Sequence, residues 1–385
     1  MKPFSLLIKP TGADCNLNCA YCFYLPKAGL YPDSKRHAMT DEVLRRIIST
    51  YFATIQPVHT IGWQGGEPTM LGIDFFKKVI AYEVEYARPG STIGNGLQTN
   101  ATLITDEFAD FLFHNKFLVG ASLDGPTYMH DAFRRTKDDQ PTHEKVMDGI
   151  RALSRHRVEF NILVLVSSAN VVHAREVYRY LRHKDFRFLQ FIPCVEFDES
   201  GSPKPMTITG TQWGDFLCEI FDLWYPEDRF TVSIRDFDDL LNVIVDNKIT
   251  SCVQGADCCQ YLLVEHNGDV YPCDFFVEKE LRLGNIIHNS WEEMLDSPRY
   301  AEFGKQKMLV HEKCTTCGYL HLCRGDCLKH RMYAGNLPQN RSWLCDGYRA
   351  FFEHTHERLQ HIAQLIRRRR ESGKSPKASA GFTAR

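Results

Sequence analysis

Three cysteines stand close together near the N-terminus, in Cys15-Asn-Leu-Asn-Cys19-Ala-Tyr-Cys22, just after the apolar run Ser-Leu-Leu-Ile-Lys (5–9). The C-x3-C-x2-C spacing offers three thiolates from one loop. Structural zinc wants four ligands, usually as two C-x2–4-C pairs, and no nearby fourth Cys or His completes this set. Three thiolates suit a 4Fe–4S cluster with one iron left open, since such clusters are otherwise held by four cysteines. An open iron is a place for chemistry. Of the fourteen cysteines, Cys194 and Cys218 are isolated and nine more lie between Cys252 and Cys345. Buried free cysteines behave as small hydrophobes and scatter through a fold, whereas short spacings point to metal. The C-terminal run Cys314-x2-Cys317-x5-Cys323-x3-Cys327, followed by Cys345, is of the second kind. Cys194, Cys218 and Cys259 are read as packing residues, because neighbouring residues seldom both reach one metal and the spacing favours Cys258 over Cys259.

Elements that could position such groups are visible around them. Short apolar runs at 59–64, 117–125, 160–168 and 186–192 read as strands. Between them, 41–55, 74–87, 106–115 and 143–156 have helical periodicity, and Thr40-Asp41 and Thr105-Asp106 suit N-capping. Apolar strands alternating with amphipathic helices mark a parallel sheet covered by helices, whose reactive groups lie at the C-terminal strand ends. A last unit has a helix around 211–224 and a strand at 230–235. Residues 252–346 then turn rich in Cys, Gly and Asp, with Asn267-Gly268 predicting a type I′ hairpin turn. A small region with little core and many cysteines is expected to be held together by metal. Residues 347–366 read as a closing helix and 367–385 as a disordered basic tail.

The composition excludes several classes. The chain has 385 residues, 43% hydrophobic and 24% charged, with net charge −2. The last nineteen residues carry seven Lys/Arg against one Glu, leaving the body at −8, which argues against a nucleic-acid-coating surface. No apolar run approaches the ~20 residues of a membrane span. The N-terminal residues lack a long apolar stretch ending in a cleavage site, so the cytoplasm is expected, where disulfides rarely persist.

The C-x3-C-x2-C loop, with Tyr21 before the last cysteine, resembles the signature of radical S-adenosylmethionine enzymes. In that superfamily S-adenosylmethionine chelates the open iron and is cleaved by one electron to a 5′-deoxyadenosyl radical that abstracts a substrate hydrogen. The resemblance extends to Gln64-Gly65-Gly66-Glu67-Pro68 after the next strand, whose glycines would let backbone carbonyls approach the ligand's ammonium group. It implies that Tyr21, Gly66, Ser122 and Arg134 bind S-adenosylmethionine, with Val195 against its adenine. The fold it implies is α/β, a partial (β/α)6 TIM-type barrel over 1–235. A small SPASM-type iron–sulfur domain with the closing helix would follow over 236–366.

The C-terminal cysteines resemble the auxiliary-cluster region of radical enzymes that modify peptides. Carried over by position, Cys252, Cys258, Cys273 and Cys327 would hold one 4Fe–4S cluster, and Cys314, Cys317, Cys323 and Cys345 another. With Cys15, Cys19 and Cys22 that makes three. Zinc knuckles are the rival reading, since C-x2-C also suits zinc.

Asp274 directly follows a presumed ligand in Tyr271-Pro-Cys273-Asp274-Phe275. A carboxylate beside an anionic cluster should have a raised pKa, which suits a proton acceptor. Together with CNLNCAYCFY, QGGEPT, LQTNATLI, KFLVGASLDGP and FLQFI, this stretch is similar to the anaerobic sulfatase-maturating enzymes from about residue 5 to 360. The resemblance implies oxidation of a sulfatase Cys or Ser to Cα-formylglycine by a monomer supplied by a flavodoxin- or ferredoxin-type donor. Tyr24, Gln64, Gln98, Asn100 and Arg235, at strand ends, would hold the peptide backbone. The alternatives are a radical maturase that forms thioether or carbon–carbon links in another peptide, and a non-enzymatic iron–sulfur or zinc protein.

Overall fold

A computed structural model describes residues 2–32, 36–333, 335 and 337–372. Seven parallel strands run in chain order: β1 (Ser5–Ile8), β2 (Val58–Trp63), β3 (Thr92–Thr99), β4 (Leu118–Ser122), β5 (Glu159–Val166), β6 (Phe188–Pro193) and β7 (Ser233–Ile234). Helices α1 (Asp41–Phe52), α2 (Gly72–Tyr86), α3 (Asp106–His114), α4 (Thr127–Phe133), α5 (His143–Arg155), α6 (Ala174–His183), α7 (Gly210–Glu227) and α8 (Arg235–Asp246) follow or connect them. The partial six-unit barrel is therefore present, with a two-residue seventh strand at its edge. The helices start where the sequence places caps: Thr40 and Thr105 accept from the amides of Val43 and Phe108. Their apolar faces bury Ile47, Ile48, Phe76 and Leu112 against the sheet, which keeps the strand ends fixed.

Three features depart from the sequence reading. Strand β3, at whose end Gln98 and Asn100 are expected, is not among the apolar runs that read as strands, because Gly94 and Gly96 interrupt its pattern. The sheet also continues past β1: β8 (Tyr261–Val264) pairs parallel with β1, then β9 (Asp269–Tyr271) and β10 (Gly284–Asn285) add antiparallel strands. The Cys-rich region thus grows out of the barrel sheet, and the boundary expected at 235 falls at the first residue of α8, which packs on β6 and β7. The β8–β9 turn is not type I′. Gly268 has φ +88° while Asn267 is not left-handed, and the Gly268 amide donates to the Glu265 carbonyl. That is a type I turn closed by a left-handed glycine.

Beyond β10 only short helices remain before the closing one: α9 (Trp291–Leu295), α10 (Pro298–Gln306), α11 (Glu312–Thr315), α12 (Leu320–Cys323) and finally α13 (Cys345–Glu371). α13 packs back on α7 and α8. It runs five residues further than expected, because Arg370 pairs with Asp246 at 2.6 Å and Arg367 donates to the Ile244 carbonyl. The remainder of the tail reading lies outside the described residues. Among those described, no helix is long and apolar enough to cross a membrane.

Candidate active site

The C-terminal ends of the strands surround a cavity of about 530 Å³ that also reaches the Cys-rich region. Cys15, Cys19 and Cys22 line one part of it; Asp274, Cys252 and Cys327 line another. The first cysteine loop is pinned by backbone hydrogen bonds: Gly66 to Gly12 (2.9 Å), Glu67 to Asp14 (2.8 Å), Asn18 to Arg135 (2.8 Å) and Ala20 to Phe133 (3.0 Å). A Cβ at Gly66 would meet the Asp14 carbonyl oxygen at 1.9 Å, so the glycine is needed for the loop's own approach as well as for any ligand's. Beneath it, Glu67 is wholly buried and accepts from Thr69, Thr99 Oγ1 and the Asn100 amide. Burial pushes its carboxyl above the usual range, against those bonds.

The expected S-adenosylmethionine residues meet on the same side, with different partners than anticipated. Ser122 lines the cavity at the end of β4. The Arg134 fork is taken by Asp124, Nε to Oδ2 at 2.8 Å and Nη2 to Oδ1 at 3.1 Å. The protein itself thus gives Arg134 a bidentate carboxylate partner, because a buried Asp124 requires a counter-charge. Burial pushes Asp124 up, but Arg134 outweighs it and holds the carboxyl below its usual range. Tyr21 donates its hydroxyl to the same Asp124, and its ring lies under Arg134. Val195 is 1% exposed and packs in the main core, while Pro193, Cys194 and Glu196 line the cavity in its place.

Asp274, which lines the same cavity, sits in a polar cage. Tyr24 donates to its Oδ2 at 2.5 Å and Gln64 Nε2 at 2.8 Å, while Lys9 Nζ lies 3.0 Å from Oδ1. Lys9 is 1% exposed, also pairs with Glu265 at 3.2 Å, and stands over the Tyr24 ring. Burial alone would lower the Lys9 pKa; Asp274 and Glu265 outweigh it and raise it. Asp274 is therefore no solitary carboxylate beside a cluster ligand. Asn100 lines the cavity and also holds the cysteine loop, donating to Asn16 Oδ1 at 2.9 Å. Gln98 and Arg235 line the cavity.

The auxiliary cysteines fall into two sets. The thiols of Cys258 and Cys327 each have Cys252 and Cys273 as charge neighbours. Cys323 has Cys314 and Cys345, and Cys345 has Cys314 and Cys317. Cys327 thus lies with the earlier cysteines although it follows Cys323 by four residues. Cys258 belongs to a set and Cys259 does not: its sulfur rests 3.5 Å from the Tyr300 carbonyl. Burial pushes Cys15 and Cys258 up to about 12 and Cys19 up to about 11. Such thiols ionise when a metal takes them. Three soft donors around an open space, and two sets of four, fit iron–sulfur clusters. Among the described residues no three Cys, His, Asp or Glu side chains converge as on a single ion.

Lys9, Glu265 and Asp124 were not found in the sequence. Lys9 and Glu265 are 256 residues apart and meet only because β8 pairs with β1. Asp124 had a signal, an Asp two residues past a strand end in Ser-Leu-Asp-Gly-Pro.

Residues 10–181 match the model of the Radical SAM superfamily and residues 258–318 that of the SPASM iron–sulfur cluster-binding domain. A serine-type anaerobic sulfatase-maturating enzyme of Bacteroides thetaiotaomicron is 37% identical, over 92% of this chain and 89% of the relative. A cysteine-type enzyme of Clostridium perfringens is 38% identical, over 95% and 100%. The solved structure of native anSMEcpe with bound AdoMet and Cp18Cys peptide superimposes with a TM-score of 0.88 at 38% identity, over 95% of this chain and 100% of that one. Streptococcus suis SuiB bound to its precursor peptide SuiA shares the fold, with a TM-score of 0.63 at 17% identity over 89% of this chain and 76% of that one. The chain, with its cysteine loop on a parallel sheet and its cysteine-rich extension, belongs to the family of anaerobic sulfatase-maturating enzymes, radical S-adenosylmethionine enzymes with an auxiliary iron–sulfur domain.

Proposed function

We propose that this protein, a monomer in the cytoplasm supplied by a flavodoxin- or ferredoxin-type donor, oxidises a Cys or Ser of a sulfatase active-site motif to Cα-formylglycine. The observation that carries the reading is the single cavity joining the Cys15–Cys22 loop to the Asp274 cage. Cys15, Cys19 and Cys22 would hold the cluster that takes S-adenosylmethionine, beside Gly66 and Ser122. Cys252, Cys258, Cys273 and Cys327 would hold one auxiliary cluster, and Cys314, Cys317, Cys323 and Cys345 the other. When bound, these groups supply hydrogen-atom abstraction from the target Cβ and an acceptor for the second electron of the oxidation.

The chain's own residues handle the proton. The target carbon loses a hydrogen atom, then an electron, and its thiol or hydroxyl loses a proton to Asp274, leaving a C=S or C=O bond. Water then replaces sulfide when the target is Cys. Asp274 is placed for this by Tyr24 and Gln64, which donate to Oδ2, while Lys9 fixes Oδ1. The Lys9 ammonium, 3.0 Å away, supplies the buried carboxylate with a counter-charge. Arg134 acts at one remove, as the counter-charge of Asp124, and Tyr21 braces the same carboxylate.

The test incubates reduced, reconstituted enzyme with S-adenosylmethionine and peptides carrying C-x-P-x-R or S-x-P-x-R, followed by mass spectrometry. Formylglycine in at least one peptide is expected. Formation of 5′-deoxyadenosine with no aldehyde in either would overturn the assignment.

A further inference from the structure

Two cations are buried among the auxiliary cysteines without an acidic partner. Lys307 and Arg331 are each 1% exposed. Among the described residues, neither has a carboxylate within ion-pair distance. Lys307 Nζ donates to two backbone carbonyls, Val253 at 2.7 Å and Asp326 at 2.9 Å. Those residues adjoin Cys252 and Cys327. Arg331 donates to the carbonyls of Arg324 (3.2 Å), Gly325 (2.7 Å), Asp326 (3.1 Å) and Lys307 (3.0 Å). The nearby Asp326 carboxylate is engaged by His330 at 2.8 Å and Ser342 at 2.6 Å.

The backbone they hold is unusual. Arg324, Gly325 and Asp326 are consecutively left-handed, with φ of 49°, 75° and 66°, and they link Cys323 of one set to Cys327 of the other. Left-handed residues other than glycine seldom follow one another, so this turn needs an external template. Arg331 supplies it, one guanidinium bonded to all three carbonyls.

A buried cation without a counter-charge costs several kcal/mol, and folds do not retain it unless something neutralises it. The carbonyls that Lys307 holds belong to neighbours of Cys252 and Cys327, and the turn carbonyls that Arg331 holds lie between Cys323 and Cys327. We infer that Lys307 and Arg331 are the built-in counter-cations of the auxiliary clusters, Lys307 for the Cys252 set and Arg331 between the two sets. This rests on the proposal that these cysteines hold 4Fe–4S clusters. A cluster with four thiolates is anionic and becomes one charge more negative when it takes an electron. A fixed cation beside it therefore favours reduction and raises its potential. In the proposed reaction the substrate radical is oxidised by one electron and releases one proton to Asp274, while an auxiliary cluster is reduced by one. Lys307 would thus be a positioning residue for charge, touching neither substrate nor the reacting atoms.

The test is an EPR-monitored redox titration, with iron analysis, of the intact holoenzyme carrying Lys307→Gln or Lys307→Met. Gln keeps donors for the Val253 and Asp326 carbonyls but no charge. A charge role predicts that both variants move one auxiliary midpoint to more negative potential and leave the Cys15–Cys22 cluster unmoved. Loss of auxiliary iron in both variants, with that first cluster retained, supports the same role. A Gln variant with wild-type iron and midpoints overturns it, whatever Met does, because hydrogen bonding alone would then account for Lys307. Wild-type protein with only about four irons would instead overturn the proposed clusters themselves.

Discussion

The two cysteine regions are built in opposite ways. The N-terminal loop rests on the ends of strands whose helices bury a large core, and its backbone is tied to Gly66, Glu67, Arg135 and Phe133 by ordinary hydrogen bonds. The C-terminal region leaves the sheet at β10 and proceeds through helices of four to nine residues, a left-handed turn and two buried cations before α13 returns to the barrel. A scaffold that positions ligands from its own core tolerates an empty site. One that lacks such a core takes part of its folding energy from the metal. The comparison teaches that cysteines of similar spacing belong to two regimes, preorganised and metal-dependent.

The strongest break in that comparison removes the preorganised ligands. Replacing Cys15, Cys19 and Cys22 by Ala together should abolish 5′-deoxyadenosine formation and remove about four of about twelve irons, with thermal unfolding close to wild type. Full iron with continued cleavage of S-adenosylmethionine would contradict the ligand assignment. Next in size is Cys327→Ala. It should cost more stability than any cysteine outside the two auxiliary sets and lose iron from the Cys252 set, as calorimetry and iron analysis would show. A near-silent Cys327→Ala would place that region in the preorganised regime.

A pH test probes the barrel alone. Burial pushes Glu83 up to about 7, against the two bonds from Asn95. Unfolded Glu ionises near 4.3 while the native residue keeps its proton to about 7, so wild type loses stability as pH rises between those values. Glu83→Gln carries no such term, and its stability relative to wild type should improve by about 1–3 kcal/mol from pH 5 to pH 8 in urea melts. A pH-independent difference would mean Glu83 is already ionised. The smallest effect is expected at Cys194 and Cys218. Either Ala variant should leave iron content unchanged and cost no more than about 1–2 kcal/mol; iron loss in either would mean the ligands are wrongly grouped.

The uneven legibility of the sequence follows the same division. Strands and caps of the barrel were readable because burial and periodicity are local, as at Thr40 and Thr105. β3 was hidden by Gly94 and Gly96. The cage around Asp274 was only half visible. Tyr24 and Gln64 carried the family resemblance, but Lys9 and Glu265 depend on the β1–β8 register, which no local pattern encodes. Two neighbours were not legible either: Val195, just past β6, packs into the core, and Arg134, though it lines the cavity, is paired with the buried Asp124. In the Cys-rich region the short spacings pointed to metal and the family resemblance to a ligand grouping, while no local pattern marks Lys307 and Arg331 as buried.

Radical generation at the Cys15–Cys22 loop and substrate deprotonation by Asp274 are proposed to share one cavity. Asp274→Asn tests it most directly, because the amide keeps the size of the side chain and cannot accept the substrate proton. Both products would be measured in one reaction, 5′-deoxyadenosine by chromatography and formylglycine by mass spectrometry. The account predicts 5′-deoxyadenosine largely retained while formylglycine falls by about 10²–10⁴-fold. Formylglycine at the wild-type level would remove Asp274 from the reaction and contradict the account.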